Sequence, residues 1–379
     1  MNALNPPKIN DRVRLDYIDA LRGLAALLVL VCHSLQVDGS LHLPHSLAQS
    51  FEAGKYGVQL FFVISALTIF YSLYKSDANS TKFFIRRFFR IAPLYFIAVI
   101  VYSLLFGVKS EGILLNLSFL HGFSPRYINS VVPGGWSIGV EMVFYCMIPF
   151  LFQRLTTLKR ALYFFLATLV FSFVSMYVFR KFVSSSSDLE SFVYFWLPNQ
   201  LPVFGLGFIV YYLSFEKILP TIKTLFYPLV FICLLVMLSV ITKLTVLGEH
   251  VVFAIVASTI IFLLSRQALP GLINKVTLYL GKVSYSLYLS QYAAIAILTR
   301  TGCFSLLPGR DGTWAIANLF LNLVFLFFVT LLLSTLLYRI VEQPFQMLGK
   351  RIIQRYVTIN TSVVSPAMTL TKSRIRILP

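Results

Sequence analysis

Long apolar stretches recur along the whole chain, and short polar segments separate them. A run of about 18 apolar residues is long enough to cross the hydrocarbon core of a bilayer as a helix. Lipid offers no hydrogen-bond partners, and these runs are too uniformly apolar for barrel strands. The pattern predicts an all-α polytopic membrane protein with about ten transmembrane helices, at 18–38, 56–75, 91–108, 137–155, 161–180, 192–214, 224–242, 250–265, 278–299 and 315–338.

The predicted spans form one membrane domain over residues 1–355. After about Tyr356 the chain becomes rich in Ser and Thr and basic, which is typical of a disordered tail over 356–379. Near the N-terminus, a polar arm precedes an apolar run at 24–37 that no small-residue cleavage site follows. This run is therefore predicted to be the first retained helix rather than a signal peptide.

Composition supports the membrane assignment, since 58% of the residues are hydrophobic and only 12% are charged. The net charge of +18 does not indicate a nucleic-acid partner, because the basic residues are distributed between the apolar runs. With the N-terminus inside, 23 of the 32 Lys and Arg residues fall in inner segments and eight in outer segments. The positive-inside rule then predicts that both termini are cytoplasmic. The four cysteines form no CxxC motif, and no metal is expected.

Two ionisable residues lie within the first predicted span, Arg22 near its inner end and His33 eleven residues later. Eleven residues correspond to about 16.5 Å of helix rise and three turns plus roughly 20°, so both side chains leave one face of the helix. Charged groups at this depth are functional candidates. The alternatives are an Arg22 side chain that reaches the membrane surface, paired with Asp19, and a His33 that only packs.

A second candidate group opens the fourth span. Trp136 and Ser137 follow a Pro-Gly-Gly segment, and Glu141 comes one turn inside the predicted outer end, with Tyr145 four residues later. Because Glu141 has a similar predicted depth to His33, it is expected to orient the imidazole, as carboxylates do for catalytic histidines. The alternative is a carboxylate that lines a water pocket.

Three arginines, Arg86, Arg87 and Arg90, are clustered in the segment predicted as the second inner loop. Arginine binds phosphate through a bidentate fork, so the cluster indicates a phosphate-rich cytoplasmic ligand. A topology signal that contacts anionic membrane lipid is equally consistent with it.

Tyrosines at 285, 288 and 292 share one face of the ninth span, with Gln291 beside them. Tyr285 and Tyr288 suit the lining of a polar cavity for a sugar or acyl ligand, or a belt at the membrane interface. Gln59 in the second span is a further polar group with no assigned partner.

The chain resembles the acyltransferase-3 family of integral membrane O-acyltransferases in four segments whose order and spacing together are specific. They are Tyr17-Ile-Asp19-Ala-Leu-Arg22-Gly23 continuing to His33; Gly57-Val-Gln-Leu-Phe-Phe-Val-Ile-Ser65 followed by Arg86, Arg87 and Arg90-Ile-Ala-Pro93; Trp136-Ser137-Ile-Gly-Val-Glu141-Met-Val-Phe-Tyr145; and Gly281-Lys-Val-Ser284-Tyr285-Ser-Leu-Tyr288 with Glu342-Gln-Pro344.

The resemblance implies ten core helices and transfer of an acyl group, commonly acetyl from acetyl-CoA in the cytoplasm, to a hydroxyl of an extracytoplasmic glycan. It implies Arg22 and His33 as the essential pair, with Glu141 and the arginine cluster in support. Two positions depart from the family: Ala66 replaces a glycine, and Gln291 replaces a histidine of many members. The sequence after the last span is too short for the SGNH hydrolase-like domain of some members, so a stand-alone member is expected.

The expected mechanism places the acyl-CoA phosphates on the arginine cluster and Arg22, with His33 as general base on an acceptor hydroxyl. A covalent acyl-histidine is a variant of it. Two other functions stay open: a proton-coupled transporter, for which no internal repeat is found, and a lipid-binding receptor or scaffold. The expected location is the bacterial inner membrane, and the expected acceptor is a surface polysaccharide such as lipopolysaccharide O-antigen or exopolysaccharide.

Overall fold

The structure, a computed structural model, describes residues 13–75, 79–107, 109–182, 187–215, 247–266, 269 and 271–369. These residues fold into helices without a strand, which confirms the all-α prediction. The helices are α1 Val13–Ser34, α2 His45–Glu52, α3 Gly57–Lys75, α4 Ser80–Phe106, α5 Ser110–Leu117, α6 Trp136–Arg154, α7 Leu158–Phe182, α8 Ser187–Phe195, α9 Leu197–Phe215, α10 Glu249–Arg266, α11 Lys275–Thr301, α12 Gly312–Leu337 and α13 Gln343–Thr369.

Seven helical segments of the described chain are long and apolar enough to cross a membrane. Two further long helices, α1 with 22 residues and α11 with 27, are more polar and fall outside that group. Their polar residues include Arg22 and His33 on α1 and four tyrosines on α11. The predicted span at 224–242 lies outside the described residues.

Helix α4 begins eleven residues before the predicted third span. Asn79 caps it by accepting a hydrogen bond from the backbone N–H of Lys82 at 2.9 Å. The arginine cluster, predicted to lie in a loop, is therefore on the first turns of a helix that continues through Pro93. Hydropathy alone missed this part of α4 because basic residues alternate with its aromatic residues.

The chain continues from α12 through a π-helical turn, Tyr338–Glu342, into α13. Helix α13 packs closely on α4, since a Cβ atom at Gly349 would lie 2.9 Å from the Cβ atom of Phe89. Residues 356–369, predicted to be disordered, are helical, and residues 370–379 lie outside the described residues. Composition reflects only the residues of the tail itself. It does not show that helix α13, once formed, can be extended into the tail more easily than a new helix can be nucleated there.

Exposed apolar side chains mark the outer surface of the bundle. Leu104 on α4 is 82% exposed, Val170 on α7 is 61% exposed and Phe328 on α12 is 62% exposed. Inside, aromatic rings stack between α3, α6 and α9, with centroids 3.8 Å apart for Phe144 and Phe204. Apolar side chains both in the interior and on the outer surface of the bundle are expected for a protein that is surrounded by lipid.

Small residues allow α1 and α11 to cross at very short range. A Cβ atom added at Gly281 on α11 would lie 1.9 Å from the backbone oxygen of Asp19 on α1, and one at Gly23 would lie 2.9 Å from the backbone nitrogen of Gly281. Glycines at helix crossings let backbones approach closely in membranes. The crossing fixes the position of α1, which carries Arg22 and His33.

We expect Gly281→Ala to lower the free energy of unfolding by about 2 kcal/mol or more, because the added methyl group overlaps backbone that cannot move without separating the helices. The midpoint of thermal unfolding of the purified protein in detergent measures this. Gly39→Ala is the matched control, since nothing lies within 4 Å of its Cβ position. Equal midpoints for the two variants would contradict the crossing described here.

Candidate active site

A cavity of about 70 Å³ lies where α1, α3, α4, α6 and α11 meet. The charged groups that line it are Arg22, Arg87, Arg90 and Glu141. Ser65, Ser137, Tyr145, Tyr285 and Tyr288 add hydroxyl groups. We call it the basic cavity, because three guanidinium groups face one carboxylate.

A second cavity, of about 440 Å³, lies further along α1 and contains His33. Its wall combines aromatic rings with amide side chains and a single lysine. The residues concerned are Gln36, Lys55, Gln59, Asn129, Trp136, Tyr194, Phe195, Tyr288 and Tyr292. We call it the histidine cavity. Val58 and Tyr288 line both cavities, so the two adjoin there.

Arg22 is held from two sides at the basic cavity. Its Nη1 donates to the Asp19 carboxylate at 3.0 Å, one turn earlier on α1, and its Nη2 donates to the Thr68 hydroxyl on α3 at 3.3 Å. Asp19 is thus a partner of Arg22 and does not itself line either cavity. The predicted pairing of Arg22 with Asp19 is present, and Arg22 also lines the cavity wall.

The arginine cluster divides between the cavity and the outside. Arg87 and Arg90 line the basic cavity, and the Arg87 guanidinium lies over the Tyr145 ring at 5.3 Å from its centroid. Arg86 is exposed, and its Nε donates to the backbone oxygen of Lys82 at 3.2 Å. The sequence predicted that all three arginines bind one ligand, whereas the helical geometry of α4 places only Arg87 and Arg90 at the cavity.

Glu141 lies in the basic cavity and belongs to a hydroxyl network. Its Oε1 accepts from the Ser65 hydroxyl at 2.5 Å and from the Tyr145 hydroxyl. The expected pairing of Glu141 with His33 is wrong, because these two side chains line different cavities. The prediction compared the depths of Glu141 and His33 in the membrane, measured from the ends of their predicted spans. Depth does not show which way a helix is rotated about its axis.

His33 lies at the last turn of α1, and its partner is Tyr292 on α11. The Tyr292 hydroxyl lies 3.2 Å from Nδ1, and the two ring centroids are 4.6 Å apart. Gln36, one turn further along the chain, is a second hydrogen-bonding neighbour of the imidazole. Tyr292 therefore has the orienting position that was expected for Glu141.

The turn after His33 is anchored by Asp38. Its Oδ1 accepts from the backbone N–H and the hydroxyl of Ser40 at 2.9 and 2.6 Å, and Oδ2 is 3.4 Å from Nε of Arg310. Burial acts to raise the pKa of Asp38, but hydrogen bonds from Ser305 and Ser40 and the charge of Arg310 outweigh it and lower that pKa. The carboxylate is thus stabilised in its charged form, which fixes the end of α1 that presents His33.

Tyr288 and Ser137 form a hydroxyl pair at the boundary of the cavities. Their oxygens are 2.9 Å apart, and the Tyr288 hydroxyl also donates to the backbone oxygen of Gly134 at 2.8 Å. Gly134 has a positive φ of 80°, and a Cβ atom there would lie 2.8 Å from the Tyr288 hydroxyl. The turn before α6 is therefore shaped to receive Tyr288.

Three tyrosines of α11 line the two cavities in turn. Tyr285 lines the basic cavity, Tyr288 lines both, and Tyr292 lines the histidine cavity. The Tyr285 hydroxyl donates to the backbone oxygen of Ile91 at 2.8 Å. The predicted polar face of α11 therefore lines both cavities, whereas Gln291 is buried outside them and donates to the backbone oxygen of Ala26 at 3.3 Å.

The wall of the histidine cavity contains both predicted and unpredicted residues. Trp136 was predicted, and its ring stacks on that of Phe195 with centroids 4.5 Å apart. Lys55, Asn129 and Tyr194 were not, because they lie in segments between the predicted spans or at their ends, and no motif marks them. Glu342, part of the C-terminal segment of the resemblance, is buried outside both cavities and accepts from Ser286 at 2.7 Å.

The two cavities differ in the chemistry of the side chains that line them. Guanidinium forks bind phosphate and carboxylate groups, so the basic cavity suits an anionic ligand. An imidazole that is oriented by a neighbouring hydroxyl suits proton transfer. Both lie within one bundle of apolar helices, so the fold defines an integral membrane protein with two adjoining polar cavities.

Comparison with known proteins gives the family. Residues 15–339 match the family described as an acyltransferase domain, so the chain belongs to the acyltransferase-3 family. It is 30% identical to the protein of Acidianus two-tailed virus named "Putative acetyltransferase ORF330", over 72% of this chain and 80% of the viral protein. It is 28% identical to the acyltransferase MdmB of Streptomyces mycarofaciens, over 38% and 40% of the two chains. No solved structure matches. The protein is thus an enzyme, an O-acyltransferase.

Proposed function

We propose that the enzyme moves an acyl group, acetyl in the first instance, from cytoplasmic acyl-CoA to a hydroxyl of a cell-surface glycan such as O-antigen or exopolysaccharide. The observation that carries the proposal is the adjoining pair of cavities, one with three arginines and one with a histidine. The donor occupies the basic cavity and the acceptor occupies the histidine cavity. The membrane is the bacterial inner membrane, with both termini in the cytoplasm, as the Lys and Arg distribution favours.

The basic cavity fits the donor through charge. Coenzyme A carries phosphate groups, and Arg22, Arg87 and Arg90 supply planar donors that bind phosphate oxygens bidentately. Asp19 and Thr68 hold Arg22 in place before the ligand arrives, so less side-chain freedom is lost on binding. The thioester arm extends from there towards Tyr288, where the two cavities adjoin.

The reaction follows from the position of His33. The neutral imidazole takes the proton of the acceptor hydroxyl, and the oxygen attacks the thioester carbonyl. The C–S bond breaks, the ester remains on the acceptor, and the thiolate of coenzyme A takes the proton back from the imidazolium. In the covalent variant the imidazole attacks first, and an acyl-histidine passes the group to the hydroxyl.

Mass spectrometry of surface glycans tests the proposal in cells that make the wild-type protein, the His33→Ala variant or no protein. An ester-linked mass, most directly acetyl, is expected only with the wild type, and fragment ions identify the modified sugar. Acetyl-CoA turnover by the purified protein is the second readout. Glycans identical in all three cell lines, with no turnover of acetyl-CoA, would overturn the proposal.

We expect Tyr292→Phe to lower kcat about 3- to 10-fold, because it removes the hydroxyl that holds His33 but keeps the ring that packs against it. The KM for acetyl-CoA should not change, because Tyr292 does not line the basic cavity. Tyr279→Phe on the same helix is the control, since the Tyr279 hydroxyl is hydrogen-bonded to the Thr335 hydroxyl, away from both cavities. A changed KM for the donor with an unchanged kcat would contradict the orienting role of Tyr292.

A further inference from the structure

Gln59 is a buried amide in the wall of the histidine cavity that the reaction does not use. It lies on α3 and is 1% exposed. Its Nε2 donates to Oε1 of Gln200 on α9 at 3.2 Å, whereas its own Oε1 has no hydrogen-bond partner. A buried carbonyl oxygen without a donor is costly, so such a group in a cavity wall calls for a ligand.

A chain of amides fixes which atom of Gln59 is left without a partner. The backbone oxygen of Tyr194 can only accept, and it accepts from Nε2 of Gln200 at 2.8 Å. Gln200 must therefore present its Oε1 to Gln59, and Gln59 must use its Nε2 for that contact. The remaining atom is Oε1, a pure acceptor. Rotation of the Gln59 amide would bring two carbonyl oxygens together, so the orientation is fixed by the fold.

The surroundings of Gln59 narrow the ligand that can satisfy it. The same wall carries the rings of Trp136 and Tyr194 and the amides of Gln36 and Asn129, and no carboxylate lines the cavity. A hydroxyl or an amide N–H donates a hydrogen bond to Gln59 without bringing a positive charge, and hydroxyls are the donors that the proposed acceptor carries. Aromatic rings beside amides suit a ligand with both apolar faces and several hydroxyls.

We propose that Gln59 recognises the acceptor: its carboxamide oxygen accepts a hydrogen bond from a second hydroxyl, distinct from the one that His33 activates. The acceptor is therefore a compound with at least two hydroxyls held at once, as on one sugar ring. This inference rests on the proposed function and adds to it the residue that selects the acceptor. Tyr194 and Gln200 are positioning residues for Gln59.

The test pairs a protein variant with missing hydroxyls on the acceptor. Purified wild type and Gln59→Leu are supplied with acetyl-CoA and with methyl glycosides of glucose, galactose and mannose, together with their monodeoxy analogues. For the wild type, removal of one hydroxyl other than the acylated one should lower kcat/KM about 10- to 100-fold, because Gln59 is then left unpaired. In Gln59→Leu the parent sugar should fall to the level of that analogue, so that their ratio is near one.

Two further variants complete the design. The Gln200→Leu variant keeps Gln59 but leaves the Gln59 amide free to rotate. The ratio of kcat/KM for the parent sugar to kcat/KM for the deoxy analogue should therefore lie between the values for the wild type and for Gln59→Leu. Gln153→Leu, an exposed glutamine at the end of α6 outside both cavities, should keep the wild-type ratio. Thermal stabilisation by acetyl-CoA shows that each variant is folded, because the donor binds in the other cavity.

The outcomes separate the two proposals. If Gln59→Leu binds acetyl-CoA and still discriminates between the parent sugar and the deoxy analogue, the role of Gln59 is refuted while the proposed function stands. If it acylates the parent sugar as fast as the wild type does, the free oxygen of Gln59 needs only water, and the inference is also refuted. If the wild type acylates none of the glycosides, the proposed glycan specificity and the inference fall together.

Discussion

His33→Ala is expected to lower acyl transfer about 10²- to 10⁴-fold, which is the usual contribution of a positioned general base. His33 is the one histidine among the residues that line the two cavities, and Tyr292 holds one of its ring nitrogens. Alanine removes the proton acceptor and leaves the basic cavity intact. The binding of acetyl-CoA should therefore stay at the wild-type level while kcat falls.

The matched control is His42→Ala. His42 lies in the loop after α1, its side chain is 79% exposed, and its Nδ1 lies 2.8 Å from Asp311, outside both cavities. Rates of acetyl transfer to the glycan and the affinity for acetyl-CoA are measured for both variants. A His33→Ala enzyme with the wild-type rate would exclude both the general-base route and the acyl-histidine route.

Arg87→Ala is expected to raise the KM for acetyl-CoA about 10- to 100-fold, because charge-assisted hydrogen bonds to phosphate are among the strong ones in proteins. Arg86→Ala should change it by no more than about 2-fold. The two arginines are neighbours in the sequence, but Arg87 lines the basic cavity and Arg86 is exposed. Arg87→Lys should fall between, since lysine keeps the charge and loses the fork.

Initial rates over a range of acetyl-CoA concentrations measure the effect, and thermal unfolding shows whether each variant is folded. Equal increases in KM for Arg86→Ala and Arg87→Ala would mean that the donor contacts the outer face of α4. The basic cavity would then not be the donor site. A large effect of Arg86→Ala alone would lead to the same conclusion.

Helix periodicity was sufficient to place Arg22 and His33 on one face of α1, since it depends only on the residue number. The structure accordingly finds both in adjoining cavities, about three turns apart along α1. The same reasoning placed Tyr285 and Tyr288 on one face of α11. The all-α fold and the family were likewise predicted and confirmed.

Contacts between helices could not be derived in this way. The pairing of Glu141 with His33 failed because two residues at equal depth on different helices need not face each other. Their actual partners, Ser65 and Tyr145 for Glu141 and Tyr292 for His33, depend on how α3, α6 and α11 are rotated. The unpaired oxygen of Gln59 depends in turn on a contact with α9, 141 residues later in the chain.

The sidedness of the reaction tests the central claim most directly. The protein is reconstituted in sealed vesicles, with acetyl-CoA and the glycan found by mass spectrometry placed on the same side or on opposite sides of the membrane. Neither compound crosses the bilayer, and the design works in mixed orientations because some molecules always face each way. The account predicts acetylated glycan only when donor and acceptor are on opposite sides. Equal product with both compounds on one side would contradict transfer between the two cavities through the membrane.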